Sequence, residues 1–422
     1  MKKSLFFLLA ACTFAGCQRT ETGAETAATP DQFVHVDGPN LIKPDGEKLF
    51  IVGTNLGNWL NPEGYMFGFQ KCNSYGMINQ MFCELVGPQT TAHFWQDFKD
   101  NYVTRADIDF IAKTGANTIR LPFHYKLFTD EDYMGNTSPL TTREGFARID
   151  SVVSWCKAND LYLILDMHDA PGGQTGDNID DSYGYPWLFE NEEAQQQYCN
   201  IWRMIADNYK NETAILGYEL INEPLPHYLE NKDELNLLVE PLYKRVAAVI
   251  REVDTNHILL LGGPQWNSNF ECFTDWNFDP QLMYTCHRYG GPATKEAIQS
   301  YIDFRDKSDR PMYMGELGHN TMEWQADFSR TMRENNIGYT YWPYKKVDDS
   351  CMNGYPMPEG WQAVIDFSNA DRSTYELARN ARPAQKKSVE MMQQLLQNVR
   401  FENCIPQNDY ITSMELNPLQ TL

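Results

Sequence analysis

Two acidic residues stand at the ends of apolar runs. The run ILGYELINE, residues 215–223, finishes with Asn222 and Glu223, and the run PMYMGELG, residues 311–318, carries Glu316. Runs of this length and composition are typical of buried strands, and an acid at such a strand end can serve structure or chemistry. A second acid favours chemistry, because two carboxyl groups can divide proton transfer and nucleophilic attack between them.

Cleavage of a glycosidic bond uses such a pair of acids. One carboxylic acid protonates the departing oxygen, while the other, ionised, attacks or stabilises the oxocarbenium-like centre. The two groups must therefore differ in pKa, which burial and neighbouring charges can arrange. We expect Arg120 and the Tyr289 hydroxyl to hold Glu316 in its ionised form.

Further polar and aromatic side chains stand at the ends of other apolar runs. Each has an ordinary structural explanation, since a strand-end histidine is commonly hydrogen-bonded structure and a tryptophan commonly packs in the core. Together they would surround the two acids with charge, hydrogen-bonding groups and flat faces that can stack on a neutral sugar ring. The set comprises Trp59, Arg120, His168, Trp266, His287, Tyr289 and Trp342.

Strand-like runs alternate with helical patterns along most of the chain. The runs are residues 48–56, 118–123, 161–168, 215–223, 257–263, 282–289, 311–318 and 338–345. The helical patterns include residues 142–157, 191–209, 294–306 and 384–399. This order predicts an α/β fold, a (β/α)8 TIM barrel whose strands present chemical groups at their C-terminal ends. No GxGxxG or Walker-type loop follows the early strands, which argues against a nucleotide-binding sheet.

The barrel is expected to form a single glycosidase domain over residues 34–422. Residues 34–47 predict a short hairpin that caps the bottom of the barrel. The formal net charge of −22 argues against nucleic acid and anionic substrates and suits a neutral glycan. No paired CxxC motif indicates zinc, so no cofactor or metal is expected. We expect a monomer, and Cys72 with Cys83 is a candidate disulfide that the sequence leaves open.

The first residues predict export. Residues 1–16 combine two lysines, an apolar run and small residues before Cys17, the pattern of a bacterial lipoprotein signal. The alternative is an ordinary signal peptide with a chance cysteine. Residues 17–33 are polar and rich in threonine and alanine, and predict a flexible tether. The expected location is the bacterial cell envelope, in the periplasm or at the cell surface, with the lipid at Cys17 as the only membrane attachment.

The ordered motifs resemble glycoside hydrolase family 5 over roughly residues 34–345. GYELINEP resembles the strand-four signature of that family, which implies that Glu223 is the acid/base, and MYMGELG resembles the strand-seven motif, which implies that Glu316 is the nucleophile. The resemblance also implies a retaining double displacement and contact of Asn222 with the 2-hydroxyl of the sugar. Its remaining active-site positions match Arg120, His168, His287, Tyr289 and Trp342.

Two further stretches are similar to the exo-β-1,3-glucanase branch of the family. NLGNWL at 55–60 and HDAPGGQTG at 168–176 resemble its NLGGWL and HGAPGSQNG stretches, and Asn58 and Asp169 stand where that branch has glycines. The resemblance implies a β-glucan or β-glucoside substrate, with β-mannan, xyloglucan or a glycolipid as alternatives. Two other classes compete with this interpretation. They are an inactive glycan-binding lipoprotein and a metal-dependent barrel hydrolase that uses Asp166, His168 and Asp169.

Lipidation of Cys17 can be tested by fractionation. Wild-type protein is expected in the membrane fraction, and Cys17→Ala is expected in the soluble fraction because it lacks the acylated residue. Ser4→Ala, a change inside the signal, serves as the control and should leave the protein in the membrane fraction. Wild-type protein that is entirely soluble would contradict the assignment.

Overall fold

The computed structural model describes residues 27–129, 144–177, 179–347 and 349–419. Its strands are β1 (His35–Asp37), β2 (Asn40–Ile42), β3 (Lys48–Leu49), β4 (Val52–Asn55), β5 (Thr118–His124), β6 (Tyr162–Asp169), β7 (Ile215–Glu219), β8 (Ile258–Gly262), β9 (Leu282–His287), β10 (Met312–Gly318), β11 (Gly338–Trp342), β12 (Lys345–Lys346), β13 (Asn353–Gly354) and β14 (Ile405–Pro406). Its helices are α1 (Tyr75–Val86), α2 (Pro88–Tyr102), α3 (Arg105–Lys113), α4 (Glu144–Lys157), α5 (Glu192–Tyr209), α6 (Lys232–Arg251), α7 (Pro264–Asn267), α8 (Gln299–Ser308), α9 (Met322–Glu334), α10 (Gln362–Asn369), α11 (Tyr375–Ala381), α12 (Gln385–Asn398) and α13 (Asn408–Ser413).

Strands β4 to β11 form a closed parallel barrel. Each strand pairs with the next along the chain, and β11 returns to pair with β4. Every residue of β5 is buried, since both faces of a parallel barrel strand are covered. The predicted (β/α)8 barrel is therefore confirmed, and each of the eight predicted runs overlaps one barrel strand.

The register of the barrel aligns polar side chains on neighbouring strands. Parallel pairing brings the carboxyl ends of all these strands to one end of the barrel, where the loops that follow them converge. The paired positions include Asn55 with Arg120, Asp166 with Glu219, and His287 with Glu316.

The opposite end of the barrel is closed by the first residues of the described chain. Strands β1, β2 and β3 form a small antiparallel sheet, which includes the predicted hairpin. Val34 and Leu41 of this segment are buried against Ile164, Leu216 and other residues at the starts of the barrel strands. Apolar packing at this end leaves the other end to carry the polar groups.

Helices α1, α2 and α3 lie between β4 and β5, where the sequence analysis predicts none. The spacing of Ile78, Met81, Phe82 and Leu85 follows one face of a helix, and all four side chains are buried. This signal was available in the sequence. Most other connections between barrel strands contain a single α-helix, so the connection from β4 to β5 contains the most helices of the barrel.

The described cysteines and helices bear on two sequence-based expectations. The structure contradicts the Cys72–Cys83 disulfide, because both thiols are free and Cys72 is buried beside the guanidinium of Arg372. Within the described ranges, no helix combines the length and apolar character required to cross a membrane. Cys17, the predicted signal and most of the predicted tether lie outside the described residues.

Candidate active site

The two acids meet at the C-terminal end of the barrel. Glu316 lies within β10, and Glu223 lies in the loop four residues beyond the end of β7. One carboxylate oxygen of each acid and one ring nitrogen of His287 all lie within 4.8 Å of one another. All three side chains are buried, so burial and their few neighbours decide their ionisation.

Glu316 is held by two donors. Arg120 Nη1 donates to Oε1 at 2.6 Å, and the Tyr289 hydroxyl donates to Oε2 at 2.6 Å. Both carboxylate oxygens of Glu316 are thus hydrogen-bonded, one to a full positive charge and the other to a hydroxyl group. The structure thus places on Glu316 the two groups that the sequence suggested for it.

Arg120 is fully buried among acceptors. Its Nε and Nη2 donate to the two carboxylate oxygens of Glu219 at 2.8 and 2.7 Å, and Nη2 also lies 3.0 Å from Asp166 Oδ2. The side-chain oxygens of Asn55 and Asn222 accept from Nη1 and Nη2 at 3.0 and 2.8 Å. Burial would lower the pKa of Arg120, but the carboxylates of Asp166 and Glu219 raise it well above its usual value. The guanidinium is therefore a permanent, immobile cation.

Glu223 has a different environment. Its carboxylate oxygen Oε1 lies 2.7 Å from His287 Nδ1, and its backbone is left-handed, with φ of 44°. Burial raises the pKa of Glu223 to about 7, although His168 and Arg120 act in the opposite direction. A carboxyl group with this pKa can donate a proton near neutral pH and take it back later.

Two neutral histidines flank the acids. Burial is the main cause that lowers the pKa of His168 and of His287 to about 4. His168 Nδ1 lies 2.7 Å from Asp166 Oδ2, and burial raises the pKa of Asp166 to about 7. The Asp166–His168 contact is thus a hydrogen bond rather than an ion pair near neutral pH. His168 Nε2 lies 3.4 Å from Asn222 Nδ2, which keeps the amide beside the acids.

The acids open onto a cavity of about 310 Å³. The ring of Trp342 forms part of its wall and stacks on His168, with ring centroids 5.1 Å apart and planes 6° apart. Trp342 Nε1 donates to the Tyr65 hydroxyl at 2.6 Å, which fixes the orientation of the indole. The lining comprises Glu63, Tyr65, His168, Ile179, Glu223, Tyr289, Glu316, His319 and Trp342.

The barrel, the paired acids and the aromatic wall coincide with a family match. The family model described as Cellulase (glycosyl hydrolase family 5) matches residues 79–347. The chain belongs to glycosyl hydrolase family 5. It is accordingly a glycoside hydrolase, and the expected family resemblance is confirmed.

The relatives of this family 5 chain differ in how much of their length it covers. A β-xylosidase of Phanerodontia chrysosporium is 31% identical over 273 residues, which are 64% of this chain and 55% of the relative. Endoglucanase C of Acetivibrio thermocellus is 26% identical over 332 residues, 64% of this chain and 92% of the relative. This chain thus spans about half the length of the β-xylosidase. The crystal structure of a rutinosidase from Aspergillus niger shares the fold, with a TM-score of 0.55, 21% identity and coverage of 70% of this chain and 90% of that one.

Two tryptophans of the predicted set lie away from the cavity of this family 5 enzyme. Trp59 is 2% exposed, and its Nε1 donates to the backbone oxygen of Lys99. It lines a separate cavity of about 130 Å³. Trp266 is half-buried, and its Nε1 donates to His227 Nδ1 at 3.1 Å. Neither ring is among the residues that line the cavity at the acids.

Several residues of the site escaped the sequence analysis. Glu63 is buried, its Oε1 has no hydrogen-bond partner among the described residues, and burial raises its pKa well above the usual value. Tyr65, Ile179 and His319 complete the wall. Glu219 was also missed, although an acid in an otherwise apolar strand could have indicated it. The other four residues lie in loops or short turns, where no sequence pattern marks them.

The two glycine replacements have identifiable structural roles. Asn58 adopts φ of 63°, a conformation that favours glycine and that asparagine tolerates better than most residues. Asp169 Oδ2 accepts from the backbone N–H of Asp181 at 2.7 Å and lies 3.0 Å from His124 Nε2. Burial alone would lower the pKa of His124, but Asp169 and Asp181 raise it to about 9. Asp169 therefore fastens the loop that brings Ile179 to the cavity.

The metal alternative lacks a suitable ligand set. Asp166 faces Arg120 and His168, whereas Asp169 faces His124, so the three proposed ligands do not converge. Within the described ranges, one group of three potential ligands does converge, namely Glu223, His287 and Glu316. There the Arg120 guanidinium already supplies the positive charge that a cation would contribute to Glu316.

Tyr289→Phe tests the donor on Glu316. The variant is expected to lower kcat by roughly ten- to a thousandfold, the effect of removing one oriented hydrogen bond that stabilises the transition state. Its melting temperature should stay within about 3 °C of wild type, because only one hydrogen bond is removed. Tyr375→Phe, at an 87% exposed position, is the matched control and should change neither quantity. A large melting shift with near-normal turnover would return Tyr289 to a structural role.

Proposed function

We propose that the protein is a retaining β-glycosidase that hydrolyses β-glucan or a β-glucoside by double displacement. The separation of Glu223 and Glu316 carries this proposal, since their carboxylate oxygens approach within 4.8 Å. Retaining glycosidases place the two carboxyl groups about 5–5.5 Å apart, whereas inverting enzymes need about 6.5–9.5 Å to admit a water between the general-base carboxylate and the sugar.

The first step forms a glycosyl-enzyme. Glu316, ionised beside Arg120, attacks the anomeric carbon and forms a C–O bond as the glycosidic C–O bond breaks. Glu223 gives its proton to the departing oxygen and becomes a carboxylate. The Nδ1–H of His287 can then stabilise that new charge through the 2.7 Å contact.

The second step releases the sugar. Water enters where the leaving group stood, and the Glu223 carboxylate takes its proton while the oxygen attacks the anomeric carbon. The bond to Glu316 breaks, and both acids return to their starting states. Two inversions give overall retention.

Recognition of the sugar involves the groups around the acids. The flat face of Trp342 can stack on the apolar C–H face of a pyranose ring. The amide oxygen of Asn222 accepts from Arg120, and one amide N–H faces His168 Nε2, so the second N–H can donate to the 2-hydroxyl. Trp59 and Trp266 lie outside the cavity wall and would act on the sugar only through neighbouring residues or more distant sugar units.

The substrate class rests on charge and similarity. A net charge of −22 disfavours anionic glycans, and one relative is named an endoglucanase. A panel of β-1,3-, β-1,4- and β-1,6-glucans, mannan, xyloglucan, a glycolipid and aryl β-glycosides tests it, with product sizes recorded. Preferred cleavage of a glucan or glucoside is expected. Preferred cleavage of mannan, xyloglucan or the glycolipid would replace the proposed glucan or glucoside substrate. No cleavage of any substrate in the panel would contradict the proposed β-glycosidase activity. A lipid at Cys17 would hold the enzyme at the cell envelope.

The pH profile tests the proton on Glu223. Only the protonated acid can assist a sugar leaving group, so kcat/KM on a glucan should fall about tenfold per pH unit above a pKa of about 7. A dinitrophenyl glycoside should show no such limb in its burst phase, because its phenolate departs without a proton. A glucan profile that is flat to about pH 9 would contradict this role.

Azide rescue separates the roles of the two acids. Glu223→Ala should lose activity on a glucan yet still form the intermediate from a dinitrophenyl glycoside, and added azide should then give the β-glycosyl azide. Glu316→Ala should be nearly inactive on both substrates, with the α-azide as its rescue product. Glu376→Ala, an exposed acid on α11, is the matched control and should behave as wild type. The opposite pair of products would exchange the two assignments.

A further inference from the structure

The loop after β8 contains an unusual run of backbone conformations. Gln265, Trp266 and Asn267 have φ of 56°, 62° and 55°, so three consecutive non-glycine residues are left-handed. Each such residue is unfavourable by itself and persists only where its surroundings impose it, often at functional sites. The Gln265 N–H donates to the backbone oxygen of Leu225 at 2.7 Å, which ties this turn to the loop that carries Glu223.

The turn directs Asn267 toward the acid/base. Asn267 is fully buried, and its Nδ2 lies 3.1 Å from His287 Nε2. The other ring nitrogen, Nδ1, lies 2.7 Å from Glu223 Oε1. An amide, an imidazole and the catalytic acid therefore form one continuous hydrogen-bonded chain from the end of α7 to the cavity.

Two glycines make room for this chain. A Cβ at Gly262 would lie 2.1 Å from Asn267 Oδ1, and a Cβ at Gly315 would lie 2.8 Å from His287 Nε2. Any larger residue at Gly262 would displace the amide from its present position. Glycine at positions 262 and 315 therefore leaves the space that the contact between Asn267 and His287 requires.

The chemistry of the chain fixes one proton. A neutral imidazole carries a single N–H, and an amide nitrogen can only donate. Donation from Asn267 Nδ2 makes Nε2 the acceptor, so the imidazole proton must reside on Nδ1 and point at Glu223. The reversed tautomer would instead turn a lone pair toward the Glu223 carboxylate.

We propose that Asn267 is a positioning residue that selects the Nδ1–H tautomer of His287 and so stabilises Glu223 once it has given up its proton. The inference rests on the proposed function for its catalytic consequence, because Glu223 must act as acid and base. Asn267 itself is not among the residues that line the cavity, so it acts through His287.

Other charged and titratable groups also face His287. Its Nδ1 lies 3.5 Å from Glu316 Oε2 as well as 2.7 Å from Glu223 Oε1. Across the part of the chain that the structure describes, Asn267 is the side chain that bonds Nε2. The groups that act electrostatically on the imidazole are Arg120, His168, Glu219, Glu223 and Glu316.

Nitrogen-15 NMR of enzyme with labelled histidine tests the tautomer of His287 and requires no measurement of activity. In wild type, His287 should show a pyrrole-type Nδ1 and a pyridine-type Nε2, assigned by loss of the signals in His287→Gln. In Asn267→Ala the two tautomers should both be populated, because the donor to Nε2 is gone. A wild-type spectrum with the proton on Nε2 would overturn the proposal, even in an enzyme that hydrolyses β-glycosides normally.

Kinetics test the consequence for Glu223. Asn267→Ala should lower kcat on a glucan by roughly ten- to a hundredfold, less than the whole acid/base contribution of roughly 10²–10⁴. The alkaline limb should move to higher pH, because the carboxylate of Glu223 loses a donor. Asn267→Asp should move that limb to lower pH, because an added carboxylate at Nε2 favours a doubly protonated, cationic His287 beside Glu223.

The burst phase and a matched variant complete the test. The burst on a dinitrophenyl glycoside should keep its wild-type rate in Asn267→Ala, since that step needs no proton. Asn269→Ala is the control, because Asn269 supports the same turn through Gln265 without touching His287, and it should leave the alkaline limb in place. Equal losses in burst and glucan turnover, or parallel shifts in the two Asn267 variants, would assign Asn267 a merely structural role. A wild type inactive on every β-glycoside would refute the proposed function and leave the NMR result to decide the tautomer.

Discussion

The buried guanidinium of Arg120 is the interaction on which the site depends. It reaches carboxylates on three strands, Asp166 on β6, Glu219 on β7 and Glu316 on β10. A charge buried this deeply is tolerated only when every donor finds an acceptor, and Asn55 supplies another of them. The requirement fixes the relative positions of these strand ends, because moving one strand would leave an unpaired charge in the core.

That one cation also creates the difference between the two acids. Glu316 is hydrogen-bonded to the Arg120 guanidinium and to the Tyr289 hydroxyl, whereas Glu223 is hydrogen-bonded to the neutral imidazole of His287. Burial then acts on Glu223 with little compensation and raises its pKa to about 7. The proposed nucleophile and the proposed acid/base are both glutamates, so only their neighbours distinguish them.

The acid/base side of the site contains a concentration of unfavourable backbone. Glu223 and Leu225 are left-handed, as is the turn 265–267, and the two segments are hydrogen-bonded to each other. Glu316 lies instead within a barrel strand, directly after a shift of register. A position in a strand suits the proposed nucleophile, which must meet one carbon, and a hydrogen-bonded loop suits the proposed acid, which must approach a departing oxygen.

The barrel, its strands and the two acids proposed to react could be predicted from the amino-acid sequence. Apolar runs of strand length carry this information locally, and parallel pairing then forces Glu223 and Glu316 to one end. Other positions follow from tertiary packing: Glu219 accepts from Arg120, Glu63 and Tyr65 line the cavity, and Trp59 does not. These side chains lie within strands whose facing depends on register or in loops whose path depends on packing. Neither is encoded by local periodicity, because residues distant in the sequence set the final positions, as Trp342 does for Tyr65.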